Sequence, residues 1–220
     1  MALMDRDTQN QVRAMLAAVQ TPVTLQLFTQ EFECGYCKET RQIIEEVAEL
    51  SDQLAVQVND FVADSALADS LGVDKIPAIV VLGENGQDYG IRFYGIPSGY
   101  EFTSLLEAII LVGTGALTLT DSTRAFLDGL ETPLHVQVFV TPTCPYCPHA
   151  VVLAHQLAFA SDKITADMVE VTEFPHLGQR YHVMGVPRTV IGDTTYIEGA
   201  APEQMLLEKL KAAARLAVQS

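Results

Sequence analysis

Apolar and polar residues alternate along 23–28 (Val-Thr-Leu-Gln-Leu-Phe) and again along 134–139 (Leu-His-Val-Gln-Val-Phe). A period of two predicts a strand in each place. Ahead of the first strand, Val12, Met15, Leu16 and Val19 recur at helical spacing, which predicts an amphipathic helix with those four residues facing the core. Beyond each strand the period lengthens, predicting helices over 38–50 and 150–161. Second strands are predicted over 54–60 and 167–173, each followed by a short helical segment. An Ile76-Pro77 or Val186-Pro187 step then leads into two further strands, 78–83 and 89–95 in the first half, 188–192 and 194–199 in the second. Helices over 98–111 and 202–217 close the two halves. Strand–helix–strand followed by a hairpin and a helix predicts an α/β fold: in each half, a mixed central sheet flanked by helices.

The two halves are copies. Arg13-Ala14-Met15-Leu16, followed by Thr21-Pro22 and a strand, returns 111 residues later as Arg124-Ala125-Phe126-Leu127, Thr132-Pro133 and a strand. Cys34, Cys37 and Pro77 return 110 residues later as Cys144, Cys147 and Pro187, so one residue is lost between strand and cysteines. A period of half the 220-residue chain is too long for a solenoid repeat and predicts two small domains, 1–116 and 117–220. The break between them falls in the Gly/Thr-rich stretch 112–121.

With 28 acidic residues against 13 basic ones the net charge is −15, which repels phosphate backbones and anionic lipid and argues against nucleic-acid or membrane partners. No apolar run approaches the roughly 18 residues a spanning helix needs. The N-terminal stretch carries acids from Asp5 on and does not have the form of a signal peptide, so the expected compartment is the cytoplasm. Paired cysteines in that reducing setting are more often catalytic or metal-binding than structural.

All four cysteines stand in two C-x-x-C pairs, Cys34/Cys37 and Cys144/Cys147, each between a predicted strand and a predicted helix. Two cysteines at that spacing bring their sulfurs within reach of a disulfide. The free N–H groups and the dipole at the helix start stabilise a thiolate on the first of them. Such a thiolate attacks a disulfide, and the second cysteine resolves the mixed disulfide. A four-cysteine zinc site is the rival reading. Its usual gap of roughly 15 to 20 residues is far exceeded between Cys37 and Cys144, and the pairs belong to separate copies. A purely structural role is weak, because closing so short a loop removes little chain entropy. Pro77 and Pro187 each stand 40 residues after the second cysteine of their copy. Spacing alone leaves open whether these are cis-prolines beside the cysteines or trans-prolines at strand starts. The five histidines, 135, 149, 155, 176 and 182, lack ligand spacing and suggest no metal cluster; His155 is expected to pack on an apolar helix, and His149 to lie near Cys144.

Strand, C-x-x-C, helix and a proline after an apolar residue resemble the thioredoxin fold, and Cys144-Pro145-Tyr146-Cys147 is the glutaredoxin form of the motif. Two such units in one chain resemble the glutaredoxin-like protein disulfide oxidoreductases of thermophiles, most closely over 139–158 and more loosely around Cys34-Gly35-Tyr36-Cys37. The resemblance implies thiol–disulfide exchange on protein substrates with no bound cofactor and a thioredoxin-reductase-like flavoprotein as electron donor. It assigns Cys34 and Cys144 as nucleophiles and Cys37 and Cys147 as resolving thiols. It further implies that Ile76 and Val186, before Pro77 and Pro187, offer backbone groups to an extended substrate strand. The chain departs from thioredoxins in one respect: Gln26, Phe28, Gln137 and Phe139, on the strands leading to the motifs, are not acids, and Glu31 and Glu33 lie on the loop. The tandem-thioredoxin head of alkyl hydroperoxide reductase flavoproteins is the near rival, an electron relay in a peroxide-reducing system; that head keeps one cysteine pair, where this chain has two, and runs on into a flavin domain for which no G-x-G-x-x-G is present here. A non-enzymatic redox-responsive or zinc-binding scaffold is the alternative from another class.

Overall fold

Asp5 begins the first helix. Its carboxylate accepts a hydrogen bond from the Thr8 amide at 2.8 Å, satisfying one of the free N–H groups of the first turn. This helix, α1, spans Arg6–Leu16 in the computed structural model, which describes residues 3–219. Val12 and Leu16 are buried on it, and Val19 is buried beyond its end. Met15 is 37% exposed, which corrects the expectation that it faces the core. Val12 and Leu16 form a single i, i+4 line of contact, and Met15 falls at the edge of so narrow a stripe.

The first copy continues with β1 (Val23–Thr29), α2 (Cys37–Ala48), β2 (Leu54–Asp60), α3 (Ser65–Ser70), β3 (Ala78–Leu82), β4 (Asp88–Tyr94) and α4 (Glu101–Thr114). Gly115 stops α4 in the left-handed conformation, its amide donating to the Leu111 carbonyl. The second copy comprises α5 (Asp121–Asp128), β5 (Leu134–Val140), α6 (Cys147–Ala160), β6 (Ile164–Glu170), α7 (Pro175–Arg180), β7 (Arg188–Ile191), β8 (Thr195–Glu198) and α8 (Glu203–Gln219). Every predicted element is present, but β6 begins and ends three residues earlier than the 167–173 expected, its outer residues 171–173 forming the turn into α7.

The strands form one sheet of eight in the order β2-β1-β3-β4-β6-β5-β7-β8. Each copy contributes the same four-stranded mixed sheet: β1 runs parallel to β2 and antiparallel to β3 as β5 does to β6 and β7. The copies are joined by a parallel pairing of β4 with β6, Ile91–Tyr94 against Ala166–Val169. Closing two open edges against each other removes a row of unpaired backbone groups. It also buries Phe93 opposite Met168, and fully burying side chains of this size contributes roughly 1.5–3 kcal/mol each. Gly90 permits the approach: its φ is +75°, and a Cβ there would lie 2.6 Å from the Ile164 carbonyl oxygen.

Two apolar layers line the sheet and both cross the seam. One packs Leu25, Ile91, Val138 and Met168 beneath the long helices, and the other packs Phe28, Val80, Tyr94, Phe139 and Val169 on the face of α3 and α7. Helix α6 is covered on two sides, by the sheet and by α4, which buries Val151, Ala154, His155 and Leu157. That double burial explains the absence of any charged side chain between Val140 and Ser161. Its counterpart α2 keeps Lys38, Arg41 and Glu45 because no neighbouring unit covers its outer flank. Among the described residues no helix is long and apolar enough to cross a membrane.

Candidate active sites

Each cysteine pair lies where a central strand ends and a helix begins. After β1 the chain loops through 30–36, Tyr36 caps α2, and Cys37 is the helix's first residue. After β5 the shorter loop 141–146 leads to Tyr146 at the cap and Cys147 at the start of α6. In both, the first cysteine stands three residues before the helix and the second is the helix's first residue. Cys34 is bonded to Cys37 and Cys144 to Cys147, each with Cα atoms 5.5 Å apart. The second cysteines are buried. The first cysteines meet two different settings: Cys34 is half-buried, whereas Cys144 is 7% exposed. Each pair is closed upon itself, and among the described residues no three His, Cys, Asp or Glu side chains are placed to hold a metal ion.

The prolines stand at the same end of the sheet as the cysteines. Ile76–Pro77 and Val186–Pro187 are both cis peptide bonds. Pro77 precedes Ala78, which pairs with Phe28 at the end of β1, and Pro187 precedes Arg188, which pairs with Phe139 at the end of β5. The carbonyl of Pro77 accepts from the Gly95 amide at 2.9 Å, and that of Pro187 from the Gly199 amide at 2.8 Å. Both prolines are buried, and Ile76 and Val186 are half-buried.

The second site is built by both copies. Residues 95–100 run from the seam to the loop before Cys144. Glu173 accepts the Ile96 amide at 2.6 Å, and the Tyr100 amide donates to the Pro142 carbonyl at 2.9 Å. Gly99 has φ +60° and packs against that carbonyl so closely that a Cβ would collide with it. One residue past this contact, Glu101 opens α4 and is wholly buried. Its Oε2 accepts from the Ser104 hydroxyl at 2.6 Å, and its Oε1 is buried without a partner. Burial pushes the Glu101 carboxyl up to about 7, against the smaller opposing effect of the Ser104 bond. Glu173 is also raised to about 7, by burial first and by the neighbouring Glu170 besides.

Glu101 is a buried acid that the first copy brings next to the loop before Cys144; Asp167 and Glu170 on β6 are buried acids of the second copy itself. The sequence offered no signal for Glu101, since a glutamate in the first turn of a helix is ordinary on dipole grounds alone. The acids around the first pair among the described residues, Glu31, Glu33 and Glu39, are all exposed. The rims differ as well. Phe32, Tyr36 and Val62 stand exposed in the region of the first pair, Tyr146 and Met184 in that of the second. His155 packs edge-on to Phe93 at 4.8 Å, and burial lowers it to about 4, in keeping with a packing role.

Comparison with known proteins places this geometry. A model of the thioredoxin domain matches residues 134–212. An alkyl hydroperoxide reductase of Staphylococcus epidermidis is 28% identical over 172 residues, 78% of this chain and 31% of that protein, so the chain spans about a third of the length of such relatives. The crystal structure of the NTD_N/C domain of the Enterococcus faecalis alkyl hydroperoxide reductase superposes with a TM-score of 0.87 at 27% identity, covering 94% of this chain and 99% of that one. A protein disulfide oxidoreductase from Aeropyrum pernix superposes with a TM-score of 0.90 at 30% identity, covering 97% of this chain and 96% of that one. With two thioredoxin-like units in one sheet and a disulfide-bonded C-x-x-C pair in each, the chain belongs to the protein disulfide oxidoreductases.

Proposed function

We propose that both pairs exchange disulfides with protein substrates, Cys34 and Cys144 attacking and Cys37 and Cys147 resolving. The observation that carries this is the repeated constellation of strand end, cysteine pair at a helix start and adjoining cis-proline, present in both copies. In the reductive direction a Cys34 or Cys144 thiolate attacks one sulfur of the substrate disulfide, forming a mixed disulfide and releasing the other sulfur, which takes a proton. The resolving thiol loses its proton, attacks the first cysteine and releases the second substrate thiol. The substrate gains two electrons and two protons, and the C-x-x-C pair becomes a disulfide. At the second site the buried carboxylate of Glu101 is the proton acceptor for the resolving thiol; a value near 7 suits it to take and return a proton at neutral pH. Ile76 and Val186 use neither amide nor carbonyl in a main-chain hydrogen bond among the described residues, which leaves them for an extended substrate strand. Exposed Phe32, Tyr36, Tyr146 and Met184 offer apolar purchase to polypeptide.

The units acting in this scheme are 1–116 and 117–220, and the protein works in the cytoplasm. Likeness to alkyl hydroperoxide reductases supports partnering with a reductase or peroxide-reducing system, with a thioredoxin-reductase-like flavoprotein as donor. Insulin reduction driven by dithiothreitol tests the reading. Cys34→Ser/Cys37→Ser and Cys144→Ser/Cys147→Ser variants each keep part of the activity, and the variant lacking all four cysteines keeps none. A protein wholly dead after loss of either pair would refute independent turnover.

A further inference from the structure

Beside the second cysteine pair, on the β6 side, the space is filled by the first copy. Residues 96–101 occupy it, anchored by Tyr100 on the Pro142 carbonyl, and Phe93 covers Met168, which is 0% exposed. The first copy has the same space on its β2 side, and no segment among the described residues fills it. It is an open pocket of about 410 Å³ lined by Thr29, Cys34, Cys37, Lys38, Val58 and Asp60 among others. Val58 holds the strand position of Met168, paired with Leu27 as Met168 is with Val138, yet it is 38% exposed. Phe32 precedes Cys34 by two residues as Pro142 precedes Cys144, and it is 79% exposed. Val62, just past the end of β2, is exposed as well.

We propose that this pocket receives a loop of the protein substrate whose disulfide is attacked at Cys34, seated as residues 96–101 are seated beside Cys144. The inference rests on thiol–disulfide exchange at Cys34 and adds where the substrate is held. A polypeptide loop is the occupant because the duplicate space is occupied by one, through a main-chain hydrogen bond, with the adjoining strand covering Met168. Exposed Val58 lines the pocket, and exposed Phe32 and Val62 follow the lining residues Glu31 and Asp60 by one and two positions, which suits the same partner. Lys38 lines the pocket beside Glu31, Asp60 and the Glu45-paired Arg41, and offers its ammonium as a donor to a carbonyl of the loop.

A second copy of this chain fits less well. The seam needs glycine at position 90 and the Glu173 cap on the Ile96 amide; the corresponding positions for a β8-to-β2 contact are Thr194 and Ala63. The loop that would enter, between β8 and α8, is also shorter than the one between β4 and α4. Such a site beside Cys34 makes binding of a large disulfide substrate separable from the chemistry, since a small disulfide reaches the sulfur without touching Val58 or Val62.

The test uses the full chain with the second pair silenced, Cys144→Ser/Cys147→Ser, pre-reduced and mixed with either insulin or 2-hydroxyethyl disulfide. Val58→Lys and, separately, Val62→Lys are introduced into it. Each lowers the rate constant with insulin about tenfold and leaves that with 2-hydroxyethyl disulfide within about twofold. Val62 stands on an exposed turn, so its variant keeps the test valid if Val58→Lys folds poorly. Insulin rates unchanged in both variants, or equal losses with both substrates, would overturn the docking site. A sedimentation coefficient that drops from dimer to monomer in the variants would overturn it too, because the occupant would then be a second copy. Absence of reaction with 2-hydroxyethyl disulfide before any Val58 or Val62 change would instead refute exchange at Cys34 itself.

Discussion

Replacing Glu101 with glutamine removes a wholly buried carboxyl, one residue past the Tyr100–Pro142 contact, while keeping its shape and its acceptor for Ser104. A carboxyl moved from its ordinary 4.5 to about 7 favours its protonated form by roughly 3 kcal/mol in the fold relative to the unfolded chain. Below pH 4.5 both states carry the proton and that stability is fully present. Between pH 4.5 and 7 the unfolded chain ionises while the fold retains its proton, so stability falls as pH rises. Above 7 the fold has ionised as well and the loss is complete. Glu101→Gln has no such proton to lose. The stability of the native protein relative to the variant therefore declines by about 3 kcal/mol between pH 4.5 and 8.5. At about 2–4 °C per kcal/mol for a chain of this size, the difference in Tm changes by roughly 6–12 °C. Glu173, the other carboxyl raised to about 7, is present in both proteins and cancels in the comparison. Thermal unfolding followed by circular dichroism, with both disulfides intact, reads the difference directly. Parallel Tm–pH curves for the two proteins would show that Glu101 does not titrate as its burial requires.

Three further outcomes are expected. Gly99→Ala combines a φ of +60° with a clash on the Pro142 carbonyl, so it destabilises by about 1–3 kcal/mol in urea unfolding and slows the Cys144 pair while sparing the Cys34 pair, as measured in single-pair variants. Arg92→Ala leaves the half-buried Asp88 without its bidentate partner and two acceptor bonds at the Leu71 carbonyl unmade, costing about 3 kcal/mol; a change below 1 kcal/mol would show the pair to be solvated. Reactivation of scrambled ribonuclease falls more steeply than insulin reduction when either pair is removed, because two sites on one chain raise the local concentration of one relative to a substrate held at the other; equal losses would limit the duplication to added valency.

Much of this protein is written locally. Period-two alternation at 23–28 and 134–139, helical spacing in 38–50 and 150–161, and the 110-residue return of Cys34, Cys37 and Pro77 depend on residues close in sequence. Local pattern therefore predicts the elements, the duplication and the placing of both disulfides at helix starts. The absence of charge from Val140 to Ser161 is explained only by the structure, where α6 is covered by the sheet and by α4. What only the tertiary structure decided arises where distant segments meet. Pairing of β4 with β6 turns two sheets into one, and no alternation within either strand specifies its neighbour across an open edge. That pairing carries the 95–100 loop to Pro142, two residues before Cys144, and buries Glu101 one residue past that contact. Burial, a property of the assembled neighbourhood rather than of the glutamate, raises its carboxyl to about 7. The same pairing makes the two sites unequal, since β6 has the first copy against it and β2 has solvent, so one pocket is filled by the chain's own loop while its duplicate beside Cys34 stays open.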